Sequence, residues 1–369
     1  MARRLRLPGR ADRDRKGRDR SLTVPAHPKT LTHVQALRGL AALSVVAFHA
    51  FQWIDDRDWI GAAGVDVFFV ISGFIIWTVG SQAESRPGVF FWRRLTRVAP
   101  AYWLVTAVVG GIAAVWPMFL PQVSLSMRHV LLSLAFIQHH DPNGLVFPVL
   151  PPGWSLNYEA VFYGLFTLTL FAPARFRFAL LVGALAGEVA LGFADPPLYG
   201  LGANPMMLQF AAGAWLARRR QRGRDIEPGA GLIFAAIGLA LFVVMGLTGF
   251  RNEFYRPLLW GVPAFMIVAA AVAAERAFAA PRWLIRLGDA SYAIYLCHLP
   301  AVALTAHLLG VRPVWLFVPT ALALSTLVGL CFHRWIETPL IAACRILPAL
   351  IARARQPRSE SNGSHAKVK

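Results

Sequence analysis

Arg38 and His49 stand eleven residues apart in QALRGLAALSVVAFHAFQW, a run that is otherwise almost wholly apolar. On an α-helix each residue turns about 100°, so eleven residues bring a side chain back to within about 20° of its starting direction, on the order of 16 Å further along. The two therefore face the same way, Arg38 at a membrane edge and His49 deep inside. Histidine is the side chain best suited to take a proton near neutral pH, and a carboxylate partner would fix its tautomer and raise its basicity. Two carboxylates are candidates: Asp66 in GVDVFFVISGF, and Glu159 in WSLNYEAVFY. A charge at bilayer depth costs ~2.5–3.5 kcal/mol on insertion scales, which makes all three a functional-site expectation. A histidine packed inside a helical bundle is the plain alternative; the Arg on its own face and two carboxylates at similar expected depth favour chemistry.

Arg94 and Arg97 lie one helical turn apart in FFWRRLTRVAPAY, next to Arg93. Planar guanidinium groups suit phosphates because each donates two hydrogen bonds to one group. Loop topology accounts for Arg93, whereas Arg94 and Arg97 together with Arg38 form the better anion site. In GDASYAIYLCHLP, Asp289 is placed as a helix N-cap, and Tyr292, Tyr295 and His298 share a face through spacings of three. His298 reads equally as helix packing or as pore lining. In HRWIETP, His333, Arg334 and Glu337 read as a structural charge cluster at the membrane surface, and Glu188 is a further intramembrane carboxylate with no identified partner. The three cysteines have neither metal nor redox spacing, so no metal site and no disulfide framework is expected.

The elements that must position these groups are membrane helices. Of the 369 residues 56% are apolar and only 15% charged, and the mean hydropathy is +0.51, far from an average soluble chain. Ten apolar segments are long enough to cross a bilayer, at about 36–54, 62–80, 98–117, 154–172, 177–194, 201–217, 230–248, 257–275, 289–309 and 314–333. The expected fold is all-α, a polytopic bundle of about ten spans without a soluble catalytic domain. The run 129–137 is short for a crossing and reads as a re-entrant or interfacial piece. With the N-terminus inside, basic clusters at 81–97, 173–176, 218–229 and 276–288 all fall on one side, as does the C-terminal tail. Residues 1–30 read as a basic, disordered cytoplasmic arm, 31–345 as the membrane domain and 346–369 as a short polar cytoplasmic tail. The net charge of +18 gathers at helix ends and in the first 20 residues; that pattern belongs to membrane topology and anionic lipid, with no nucleic-acid partner expected.

In this order, Arg-x10-His at Arg38 and His49, GVDVFFVISGF, Arg-x-x-Arg at Arg94 and Arg97, WSLNYEAVFY and SYAIYLCHLP resemble the acyltransferase-3 family of bacterial integral-membrane acyltransferases over roughly 31–345. The resemblance implies transfer of an acyl group, usually acetyl, from cytoplasmic acyl-coenzyme A to a hydroxyl of a carbohydrate or lipid-linked glycan beyond the inner membrane, with both termini cytoplasmic. It implies catalysis at His49, an active-site role for Glu159, and donor binding at Arg38, Arg94 and Arg97; Asp66 would orient the imidazole or hold the acceptor. Some members carry an extra periplasmic hydrolase-like domain, which this chain is too short to add after its last span, so a separate glycan-biosynthesis partner protein is an open expectation. The rival class is a proton-coupled carrier using the same buried His and carboxylates as a relay. No inverted repeat is visible to support it.

Overall fold

The computed structural model describes residues 31–55, 60–81, 86–195, 202–248 and 255–345. The expected arm at 1–30 and tail at 346–369 lie outside them. Among the described residues the chain is helical: α1 (Thr32–Gln52), α2 (Ala63–Gly80), α3 (Pro87–Val115), α4 (Met127–Leu134), α5 (Trp154–Thr169), α6 (Ala174–Ala194), α7 (Leu208–Gln221), α8 (Pro228–Thr248), the single turn α9 (Arg256–Leu259), α10 (Gly261–Ala274), α11 (Arg282–Asp289), α12 (Ser291–Leu309) and α13 (Val314–Phe332). Eight helical stretches among the described residues are long and apolar enough to cross a membrane. They are α1, α2 with the turn before it, α3, α6, α8, α9 with α10, α12, and α13 with its continuation to Arg345. The expected spans at 154–172 and 201–217 form as shorter helices, α5 and α7, of 16 and 14 residues.

Their shortness has a local cause. Each is preceded by one 3₁₀ turn that begins at proline, Pro151–Gly153 and Pro205–Met207, and proline cannot donate a backbone hydrogen bond. Non-helical backbone at this depth is tolerable only where protein satisfies its polar groups. Before α5 this is visible: the Tyr295 hydroxyl donates to the Pro152 carbonyl at 2.9 Å, and Tyr102 and Trp103, midway along α3, donate to the Ser133 and Leu134 carbonyls at 3.2 and 2.8 Å. The eight residues of α4 extend only about 12 Å, too little to cross. A buried imidazole pair ties α4 to the chain after it, His129 Nδ1 to His139 Nε2 at 2.7 Å, with His139 Nδ1 donating to the Ile137 carbonyl.

The frame around the site is built on close helix crossings. Glycine permits a close one between α2 and α7: a Cβ on Gly73 would run into the Phe210 backbone, and one on Gly213 into the Val70 carbonyl and the Phe74 nitrogen. Small residues that let backbones touch are how helices associate where lipid offers no hydrophobic drive. On the other side α1 packs against α2, α11, α12 and α13, and α12 packs on α13. Ala42, Val46 and Ala50 of α1, Ile294 and Val302 of α12, and Phe317 and Ala321 of α13 share one buried cluster. Pro300 interrupts α12 from within, and a π-helical turn at His333–Glu337 continues α13.

Candidate active site

A cavity of about 370 Å³ opens between α1, α2, α3, α5 and α12. Arg38, Arg94 and Arg97 line it, with Glu159, Tyr163 and Arg345. The three arginines expected to act together are thus brought together, and Arg93 stands exposed outside. Among the described residues none of the three has a carboxylate within ion-pairing distance; Arg38 donates to Gln35 at 3.4 Å, and Arg94 lies over the Phe90 ring. Guanidinium groups gathered in a cavity without a paired carboxylate make a site for an anion.

Glu159 belongs to this arginine end. One carboxylate oxygen accepts from Ser72 of α2 at 2.6 Å and from Tyr163, one turn further along α5, at 2.5 Å. The carboxylate is fixed in place, and the arginines keep their hydrogen-bonding capacity.

His49 does not line the cavity. Its Nδ1 is 2.9 Å from the Val45 carbonyl one turn back on α1, and 3.1 Å from Nε2 of His298 on α12. The two rings are 4.7 Å apart between centroids. His298 is fully buried, with its Nδ1 2.7 Å from the Tyr295 carbonyl; His49 is partly exposed. Tyr295 links the two regions. Its ring lines the cavity, meets Phe68 edge-on at 5.9 Å and stands 5.8 Å from the His298 ring, while its hydroxyl binds Ser155 at 2.8 Å.

The expected convergence of His49, Asp66 and Glu159 does not occur. Asp66, fully buried, is held by Arg256 at 3.0 Å and by Gln209 at 2.7 Å, and it does not line the cavity. Equal depth on adjacent spans left its facing direction open, and α2 turns it toward α7 and α9. Glu159 sits with the arginines because α5 starts inside the bundle after its Pro-Pro-Gly turn. Asp289 is the last residue of α11 and accepts from Gln35 at 2.7 Å; Ala290, without a side-chain cap, precedes α12. His333 Nδ1 meets Glu337 at 2.7 Å, and Glu337 is buried. One oxygen of Glu188 is buried with no hydrogen-bond partner among the described residues. No group of three His, Cys, Asp or Glu among the described residues is placed to hold a metal ion.

Sequence reasoning left His298 between packing and pore lining, and gave no role to Ser72 or Arg345. His298 shares its stripe with Tyr292 and Tyr295, which was the available signal. That this stripe meets α1 is a long-range pairing, and helical periodicity does not encode it.

A buried helical bundle with an arginine-lined cavity and a histidine pair near it is the architecture of a membrane enzyme for group transfer. A family model described as an acyltransferase domain matches residues 32–334, and the chain belongs to the acyltransferase-3 family. It is 34% identical over 330 residues, 84% of its length and 99% of the relative's, to the exopolysaccharide production protein ExoZ of Rhizobium meliloti. It is also 26% identical over 358 residues to the O-acetyltransferase OatA of Staphylococcus aureus, where the match covers 85% of this chain and 57% of OatA. No solved structure matches the chain.

Proposed function

We propose that this multi-pass membrane acyltransferase moves an acetyl or similarly short acyl group from acyl-coenzyme A, bound from the cytoplasm, to a hydroxyl of a polysaccharide or lipid-linked glycan on the other side of the bacterial inner membrane. The observation that carries the reading is the cavity lined by Arg38, Arg94 and Arg97, none of them ion-paired among the described residues, with Arg38 on the same helix as His49. The arginines would hold the coenzyme's phosphates, and the bound donor supplies an acyl thioester. The arginines Arg93, Arg94 and Arg97 in the first half of α3 support a cytoplasmic position for this end, with both termini on the same side. Exopolysaccharide is the acceptor class that the relation to ExoZ supports.

In this reading His49 Nε2 takes the proton from the acceptor hydroxyl as that oxygen attacks the acyl carbon, and then returns it to the departing sulfur. Glu159, fixed by Ser72 and Tyr163, lines the same cavity without forming an ion pair with the guanidinium groups, which stay available to the donor. Phe68 and Tyr295 stand between the cavity and the histidines, so the acyl group passes them to reach His49.

The test is transfer of radiolabel from acetyl-coenzyme A to a membrane glycan fraction by purified protein in lipid nanodiscs. Wild type should label the glycan, and His49→Ala should lose at least about 100-fold, the usual worth of a positioned acid–base group. A well-folded His49→Ala protein that labels glycan at the wild-type rate would overturn the role of His49. A folded wild type that neither binds acetyl-coenzyme A nor transfers label would overturn the function.

A further inference from the structure

We infer that His298 is the positioning residue of the reaction: it selects the tautomer in which His49 can act as a base and stabilises the imidazolium that results. The inference rests on the reading of His49 as that base. Two backbone carbonyls carry the argument, because a carbonyl oxygen only accepts hydrogen bonds. His49 Nδ1 lies 2.9 Å from the Val45 carbonyl, so Nδ1 carries the hydrogen. His298 Nδ1 lies 2.7 Å from the Tyr295 carbonyl, so there too Nδ1 carries the hydrogen. A neutral imidazole has one N–H, which leaves both Nε2 atoms with bare lone pairs. The 3.1 Å contact therefore has one direction: His49 Nδ1–H donates to His298 Nε2 and shares its hydrogen with Val45. The reverse assignment would set a nitrogen lone pair against a carbonyl lone pair twice over.

His49 Nε2 is then unprotonated and sits on the partly exposed ring of the pair. When it takes the acceptor's proton, Nδ1–H becomes a charge-assisted donor, and the lone pair of His298 receives it. The proton comes from the hydroxyl, rests on His49 Nε2 and leaves with the sulfur; His298 gains and loses none. An orienting carboxylate would do the same work in a water-exposed site. In the apolar α1, α12 and α13 cluster a neutral imidazole avoids burying a second charge.

His298→Phe, His298→Gln and His49→Ala should be compared with wild type in nanodiscs for acetyl-coenzyme A binding, donor KM and kcat of glycan labelling. ¹⁵N-histidine NMR of the wild-type protein would give the protonation state of the His49 ring, its signals assigned by their loss in His49→Ala. The expected result is a kcat lowered on the order of 100-fold in His298→Phe, with donor binding and KM unchanged, and substantial recovery in His298→Gln, whose amide oxygen can accept from Nδ1–H. The NMR spectrum should show His49 protonated at Nδ1 alone. Wild-type kcat in folded His298→Phe, equal losses in the Phe and Gln variants, or a hydrogen on His49 Nε2 would overturn the inference. Absence of transfer by wild type, or full transfer by His49→Ala, would instead overturn the functional reading. The NMR result decides the tautomer in either case.

Discussion

Arg256 and Asp66, 190 residues apart in the chain, form an ion pair at 3.0 Å that ties the turn before α10 to the start of α2. Gln209 of α7 donates to the same carboxylate at 2.7 Å. Three elements thus meet at one fully buried aspartate. Truncating Asp66 removes the carboxylate that accepts from both Arg256 and Gln209 and so unties all three elements at once. Asp66→Ala should therefore lower the thermal unfolding temperature and the yield of folded protein, while the fraction that folds keeps the wild-type donor KM. Scanning fluorimetry with donor titration separates the two; an Asp66→Ala protein of wild-type stability would contradict the structural role.

Arg94→Ala and Arg97→Ala should weaken coenzyme A binding about 10-fold or more each, in line with hydrogen bonds to charged groups worth about 1.5–3 kcal/mol. The loss should appear in donor KM more than in kcat. Arg38→Lys should resemble a deletion more than a conservative change, because an ammonium cannot reproduce the planar two-donor contact. Calorimetry with coenzyme A reads all three, and Arg93→Ala, exposed outside the cavity, is the control that should bind normally.

Glu159→Gln tests a subtler expectation. The amide oxygen still accepts from Ser72 and Tyr163, but the negative charge facing the arginines is gone. Anionic donor should then bind several-fold more tightly, by removal of a competing charge. Weaker binding in Glu159→Gln would mean that the carboxylate itself contacts the donor.

Acidity should act on the segment around α4, outside the spanning helices. Burial, reinforced by the neighbouring His139, lowers the pKa of His129 from its ordinary 6.5. The folded state thus prefers the neutral ring, and the unfolded chain binds the proton more readily. The stability this contributes is complete above pH 6.5 and is lost as the pH falls below that value toward the lowered pKa. Hydrogen-exchange protection across 127–149, taken relative to the intrinsic rate at each pH, should fall between about pH 7.5 and pH 5, while α2 and α7 stay protected. Protection of 127–149 that is the same at both pH values would contradict it.

Gly213→Ala should destabilise the bundle although it adds a single methyl. The new Cβ would strike backbone atoms of Val70 and Phe74, which have no rotamer to yield. Overpacking of this kind costs about 1–3 kcal/mol. Gly111, whose Cβ would meet nothing within 4 Å, should tolerate alanine and serves as the comparison in the same melting assay.

Much of this was legible in the residues themselves. Arg38 and His49 share one helix, and a helix has a fixed period, so their common face follows from spacing alone. Arg94 and Arg97 are readable for the same reason. The positions of the ten helices follow from apolar length, although α5 and α7 come out shorter because prolines delay their start. What spacing could not show was pairing between distant elements. His298 meets His49 across 249 residues, and Asp66 finds its partner in a turn of helix that had no reason to be singled out. Glu159 was placed too near His49 because its helix was taken to begin at the membrane surface. Asp289 looked like a cap by type, but α11 runs through it.

Pro300 lies two residues beyond His298 and has no N–H to give the Leu296 carbonyl, so α12 lacks one rung of its ladder at the level of the histidine pair. The half that precedes the proline carries Tyr295 and His298 and is anchored by their hydrogen bonds to Pro152 and His49. The half that follows owes that anchorage nothing. Packing takes over there: Val302 and Ala306 lie in the cluster shared with α1 and α13, and the His307 ring meets Trp53, Trp116 and Phe119, so side chains hold the helix in place past the missing rung.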